Sequence, residues 1–167
     1  MINRYITNTC PKEHKATVED TYSIEIKADK EERQFKILDT SGENLKDTAL
    51  DELVCHGHGF ILVFALNDPR SFESINEYVE ALKKNKMDHF PITLVGNKCD
   101  LEKERKIKKH SAQDYAKSID ASYYECSALT DRNGNCKTVF QELAGRIIKR
   151  INDSLSGKGN NKKCDIF

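Results

Sequence analysis

Three strand-like stretches of this chain end on residues that can hold a polar ligand. Pro91–Gly96 leads into Asn97-Lys98-Cys99-Asp100, which sets an amide, an ammonium and a carboxylate within four positions. Phe35–Leu38 leads into Asp39-Thr40-Ser41-Gly42, and Tyr123–Glu125 into Cys126-Ser127-Ala128. Ligands of parallel α/β sheets gather at the carboxyl ends of strands. Taken alone, the Asn-Lys-x-Asp cluster also reads as a loop with an Asn cap. Three such ends in order, each following a strand, point to a binding site.

The elements that would position them are legible from pattern. Tyr22–Ala28 alternates polar and apolar residues, "DKEE" turns, and Gln34–Asp39 returns, which reads as an antiparallel hairpin. Gly59–Leu66 is continuously apolar, as in a strand covered on both faces. Asp68 as cap and Pro69 in the first turn open a helix with Phe72, Ile75, Val79 and Leu82 on one face. Pro91–Asn97 is a further buried strand. Ser111 is expected to cap a short helix carrying Tyr115 and Ile119, a last strand falls in "ASYYECSA", and Phe140, Leu143, Ile147 and Ile151 stripe a final helix. Strand and helix alternate from Gly59 onward, so the fold class is α/β, a mostly parallel sheet with helices on both faces.

The 167 residues suit one domain, over 1–152, followed by a Ser/Gly/Asn/Lys tail, 153–167, read as flexible. Twenty-seven basic residues balance twenty-seven acidic ones, so nothing pulls the chain toward nucleic acid in general. The end is locally basic: Arg146, Lys149, Arg150, Lys158, Lys162 and Lys163 face one acid, Asp153, between 146 and 163. No apolar stretch approaches the ~18 residues of a membrane span, and the first fifteen residues are too polar for a secretory signal. The six cysteines lack short repeated spacings and so do not resemble a zinc or disulfide framework, and a reducing cytosol is the natural reading.

With Asn97-Lys98-x-Asp100, Asp39-x-x-Gly42 and Ser127-Ala128 in this order, the chain resembles the Ras-superfamily small GTPases, nearest the Ras branch, over about residues 2–152. The resemblance implies a P-loop-NTPase-like sheet, GTP/GDP and Mg²⁺ as cofactors, and guanine read by Asn97, Lys98, Asp100, Ser127, Ala128 and Leu129. A carboxylate such as that of Asp100 accepts from N1 and N2 of guanine, a donor pair that adenine lacks. Leu129 stands where the family usually has lysine. By the same resemblance Asp39 holds Mg²⁺ through water, Thr17 ligates it beside the γ-phosphate, and Gly42 donates its N–H to that phosphate. Glu19, Asp20 and Tyr22 of "ATVEDTY" would face effectors; read plainly, they are an ordinary solvated strand. Implied partners are effectors and GTPase regulators, with a monomer expected.

The pattern departs from the family at the phosphates. None of the eight glycines starts G-x-x-x-x-G-K-[ST], the loop whose backbone N–H groups and lysine cradle them. Ile2, Tyr5 and Ile6 keep the apolar spacing of the helix that follows that loop. The family's central first strand is therefore missing from the sheet, which implies either a segment upstream of this sequence or an altered fold. Glu43 replaces the glutamine that positions the attacking water, Ser41 an alanine, and Cys10 an aromatic. Weak GTP binding and slow hydrolysis follow as expectations; a pseudo-GTPase interaction module or a truncated product is the alternative. Cys164-Asp165-Ile166-Phe167 fits C-a-a-X, with Phe167 leaning toward geranylgeranyl and Asp165 atypical of an aliphatic position. Prenylation of Cys164 plus the basic tail would place the chain on the cytoplasmic face of the plasma membrane, and in the cytosol without it.

Overall fold

The computed structural model describes residues 1–9, 19–28, 31–40, 54, 56–85, 90–131, 134–155 and 164–166. A short helix, Ile2–Thr7 (α1), precedes the hairpin of Glu19–Ala28 (β1) and Glu31–Thr40 (β2). Then come Phe60–Ala65 (β3), Pro69–Glu73 (α2), Ile75–Lys84 (α3), Ile92–Asn97 (β4), a 3₁₀ turn at Glu102–Glu104, Lys109–Ser118 (α4), Ala121–Glu125 (β5), Asn135–Leu155 (α5) and Cys164–Ile166 (β6).

β1 and β2 pair antiparallel from Glu19 opposite Thr40 to Ala28 opposite Glu31. Their alternation is in phase: Ile26, Ala28, Phe35 and Ile37 are buried, whereas Glu25, Lys27, Gln34 and Lys36 are exposed. A one-residue slip would turn the apolar set to water, so the register is strongly specified. β3, β4 and β5 are parallel, with Phe60–Ala65 opposite Ile92–Asn97 and Ile92–Gly96 opposite Ala121–Glu125. The described strands thus form two three-stranded sheets, β1-β2-β6 and β3-β4-β5. No described strand bonds to both β2 and β3, where the family's first strand would lie. Instead β6, inside the segment read as a flexible tail, pairs parallel with β2. α5 also passes the boundary set at residue 152 and runs to Leu155.

One face of β3, with Phe60, Leu62 and Phe64, packs beneath α2, α3 and α4 in a core completed by Ile75, Val79, Leu82, Leu94, Ala112 and Ala116. The opposite side belongs to α5. Its Phe140, Leu143, Ala144, Ile147 and Ile148 cover Ile26, Phe35 and Ile37 of the hairpin and reach Ile61 of β3, while Cys136 and Val139 meet Val95 of β4. Gly59 permits this approach, since a Cβ there would lie 2.7 Å from Ile147 Cδ1. Polar clamps fix the middle and the C-terminal part of α5. Arg146 Nη1 donates to the Ile92 carbonyl (2.9 Å), and Asn152 accepts from Arg33 Nη2 (2.8 Å) while donating to Glu31 Oε1 (2.9 Å). α1 lies against α5 through Tyr5 stacked on Phe140, centroids 4.4 Å apart. Ile2 is buried, but Ile6, also expected on the apolar face, is exposed, because α1 ends within a turn and only one side meets α5.

Two helix boundaries differ from expectation. Asp68 does cap α2, accepting from the Arg70 N–H (3.1 Å), but the helix breaks at Ser74, whose hydroxyl donates back to the Arg70 carbonyl (3.0 Å) and competes with the helical ladder. α4 begins at Lys109, not after a Ser111 cap. Ala112 and Ala116, one turn apart, are both buried on the core, and the Ala112 N–H already bonds to the Lys108 carbonyl (3.2 Å), which places Ser111 inside the helix.

Below the carboxyl end of β5, Arg105 makes a two-pronged pair with Glu125, Nη1–Oε1 3.0 Å and Nη2–Oε2 2.9 Å, and Tyr123 donates its hydroxyl to the same carboxylate (2.7 Å). Burial pushes the Glu125 carboxyl upward, but the hydrogen bonds from Arg105 and Tyr123 and the guanidinium charge outweigh it and hold the carboxyl below its ordinary value. Two outcomes follow. Leu143→Ala should cost about 2–5 kcal/mol, read from urea unfolding, because it empties the contact between α5 and the hairpin. Arg105→Ala should cost about 1–3 kcal/mol at pH 7, since it strands a largely buried carboxylate. A carboxyl with a lowered native pKa stabilises above its unfolded value of about 4.3 and loses that contribution as pH falls through its native value. The gap between wild type and Arg105→Ala should therefore narrow below pH ~4. An equal gap at pH 7 and pH 3 would show that charge pairing is not its source.

Candidate functional site

β3, β4 and β5 end side by side, with Ala65 opposite Asn97 and Gly96 opposite Glu125. At this rim the chain leaves β4 through Lys98 in the left-handed region, φ 64°. Asn97 makes that turn possible: its Oδ1 accepts from the Lys98 N–H (2.8 Å) and from the Ala128 N–H (3.1 Å). Two backbone bonds reinforce the tie, from the Cys99 N–H to the Cys126 carbonyl (3.2 Å) and from the Cys126 N–H to the Gly96 carbonyl (3.0 Å). The Asn97–Asp100 and Cys126–Ala128 loops, far apart in sequence, form one rigid lip. Ser127 is buried within it, its hydroxyl accepting from the Thr130 N–H (3.0 Å). Lys98, Asp100 and Leu129 are exposed on its surface.

Other parts brace the lip from residues that no motif singles out. Arg4 of α1 donates from Nε to the Ala128 carbonyl (2.8 Å) and from Nη2 to the Leu129 carbonyl. Asp131, at φ 35°, accepts from the Cys136 N–H (3.0 Å) at the start of α5. Arg105 steadies Glu125 just before the second loop. Of these, only Asp131 carried a signal, as an Asp four residues before a helix; an arginine on α1 gives no hint of the loop that it reaches.

Asp39 lies at the far end of β2, half-buried, with Asp20 of β1 as its cross-strand partner. Burial and the Asp20 charge raise its carboxyl pKa, while the amino group of Met1 pulls the other way. Met1 also brings its sulfur within 3.6 Å of the Cys126 thiol, next to the end of β5. A half-buried carboxylate whose charged form is disfavoured chiefly by burial is one that a nearby cation would stabilise, so the chemistry of Asp39 fits a water-linked Mg²⁺. Among the described residues no group of three His, Cys, Asp or Glu side chains forms a metal site by itself. Thr17, Gly42 and Glu43, as well as Cys10 and Ser41, lie outside the described residues. Glu19, Asp20 and Tyr22 are on β1, the outer strand of its sheet, where Asp20 is exposed and Tyr22 half-buried. Cys164 is in β6, at the position paired with Phe35. Among the described residues no helix is long and apolar enough to cross a membrane.

The chemistry available at the lip is recognition: an exposed carboxylate and ammonium on a loop fixed by an amide, next to a second loop of backbone N–H groups. Comparison with known proteins agrees. The sequence matches the Ras family over residues 1–149. It is 33% identical over 148 residues to Ras-like protein 2 of Mucor circinelloides f. lusitanicus, covering 88% of this chain and 74% of that one. Ras-like protein 2 of Drosophila melanogaster is 31% identical over 170 aligned residues, covering 96% and 87%. With Asn97, Asp100, Asp39 and Ala128 on such a scaffold, the chain belongs to the Ras family of small GTPases.

Proposed function

We propose that this chain is a guanine-nucleotide-dependent signalling switch that reads its base well and holds its phosphates weakly. The observation that supports it is the Asn97 bridge. By fixing the Asn97–Asp100 loop to Ala128, the bridge leaves the Asp100 carboxylate at the rim, free to accept from N1 and N2 of guanine. Lys98, held at positive φ beside it, supplies a stem to lie along the base. Because the Ala128 N–H is engaged by Asn97, the donor to guanine O6 comes from this loop at Leu129, or from Ala128 by sharing.

Ras-family proteins bind GTP and GDP with Mg²⁺ and exchange effectors and regulators between the two states. In this chain Asp39 would hold Mg²⁺ through water, with Thr17 as a direct ligand and Gly42 as a donor to the γ-phosphate. Mg²⁺ when bound neutralises phosphate charge. Glu43, where a water-positioning amide is usual, adds negative charge near the γ-phosphate and slows hydrolysis. Glu19, Asp20 and Tyr22 on the outer strand β1 present an edge to an effector. Cys164, prenylated, together with Lys158, Lys162 and Lys163, would tether the chain to the cytoplasmic face of the plasma membrane. A second reading, an interaction module without turnover, is favoured by one observation: no glycine in the sequence starts a phosphate-cradling loop.

Base choice tests the first half. The purified chain should retain GTP over ATP, and Asp100→Asn, which sets a donor against the base's donors, should shift preference toward xanthine nucleotides. Equal retention of ATP and GTP by the wild type would refute guanine reading. Affinity tests the second. A charge-assisted hydrogen bond contributes about 1.5–3 kcal/mol, so the absence of three from the phosphates weakens binding by roughly 10³- to 10⁶-fold. Titration of a fluorescent GTP analogue should then give micromolar or weaker binding. Nanomolar binding would mean that other residues hold the phosphates.

A further inference from the structure

One amide of the second loop of the lip is left without a partner, and an arginine holds the other end of its peptide. Ala128 donates its N–H to Asn97 Oδ1 (3.1 Å), Thr130 to the Ser127 hydroxyl (3.0 Å) and Asp131 to the Ser127 carbonyl (2.9 Å). The Leu129 N–H makes no hydrogen bond among the described residues, and Leu129 is 62% exposed at the rim. Its side chain carries no polar group, so any recognition at this position comes from the backbone. The peptide that bears this N–H begins at the Ala128 carbonyl, and that carbonyl accepts from Arg4 Nε at 2.8 Å.

A trans peptide is a plane in which C=O and N–H point in opposite directions. A donor fixed on the carbonyl therefore sets the direction of the N–H. Arg4 does this with a fork: its Nη2 takes the next carbonyl, that of Leu129, so one planar group holds two successive peptides. The fork is itself anchored. Nη1 donates to the carbonyl of Asn8 (2.7 Å), the residue at φ 55° that closes α1, and the neighbouring Tyr5 stacks on Phe140 of α5. A charged donor on the carbonyl also polarises the amide and makes its N–H the stronger donor.

We propose that Arg4 is a positioning residue for base selection: by gripping the Ala128 and Leu129 carbonyls it aims the Leu129 N–H at the oxygen on carbon 6 of guanine. This rests on the reading of the lip as a guanine site and names which of its two candidate donors serves that oxygen. Asp100 then discriminates at N1 and N2, and Arg4, through Leu129, at position 6. A base with an amino group at position 6 would set a donor against a donor and leave the Leu129 N–H unsatisfied.

NMR titration of the full chain with four nucleoside diphosphates tests this: GDP; 6-thio-GDP, whose sulfur is the weaker acceptor at position 6; IDP, which lacks only the 2-amino group; and ADP. The wild type should bind GDP about three- to tenfold tighter than 6-thio-GDP, the range of one hydrogen bond. In Arg4→Ala the two should bind equally, while the preference for GDP over IDP, which reads the Asp100 contact with the 2-amino group, should stay at its wild-type value. Arg4→Lys keeps the charge and the stem but cannot hold two carbonyls at once. It should lose the preference at position 6 as well, and it carries the same test should Arg4→Ala unfold the chain. A wild-type preference for GDP over 6-thio-GDP in both variants would overturn the proposal. So would a parallel fall of the IDP preference, which would make Arg4 a general brace of the lip. A wild type that binds GDP and ADP equally would refute the guanine reading itself and the role of Arg4 with it.

Discussion

The packing of α5 across two sheets is the contact on which the rest of the structure depends. Among the described residues the sheets β1-β2-β6 and β3-β4-β5 share no hydrogen-bonded strand pair, and side chains hold the hairpin to the parallel sheet. Phe140, Leu143, Ile147 and Ile148 cover the hairpin from one helix, and Cys136 and Val139 of the same helix grip β4. Fully burying a side chain of this size contributes about 1.5–3 kcal/mol, whereas the polar clamps at Arg146 and Asn152 chiefly fix position. That helix also sets the distance between the two halves of the site, since Asp39 rides on the hairpin and Asn97 on the parallel sheet.

This explains which parts were legible in the sequence. The α5 stripe, the hairpin alternation and the strands ending at Asp39, Asn97 and Glu125 announce themselves, because each obeys a period imposed by one buried face. The motif residues are legible for a different reason: Asn97 and Asp100 stand where an apolar strand stops, and nothing in packing calls for them. What stayed hidden depends on partners distant in sequence. Arg4 reaches Ala128 and Leu129 across more than a hundred residues, and the Arg105–Glu125 pair joins a loop to a strand end. The early start of α4 reflects two alanines seeking the core, a signal weaker than the capping preference of Ser111.

Electrostatics divides the site in two. At the lip, polar groups are mutually satisfied: Asn97 serves two N–H donors, Ser127 serves Thr130, and Glu125 serves Arg105 and Tyr123. Such a surface is preorganised and loses little on binding a base. At the hairpin end the reverse holds: burial above all raises the Asp39 carboxyl pKa, and the charge of Asp20 across the strand adds to it while the Met1 amino group opposes it. Strain of that kind is tolerable where a cation is to be held. On the proposed reading, the groups that would read the base are already fixed by the fold, whereas the strand end at Asp39 is the one that a cation would complete.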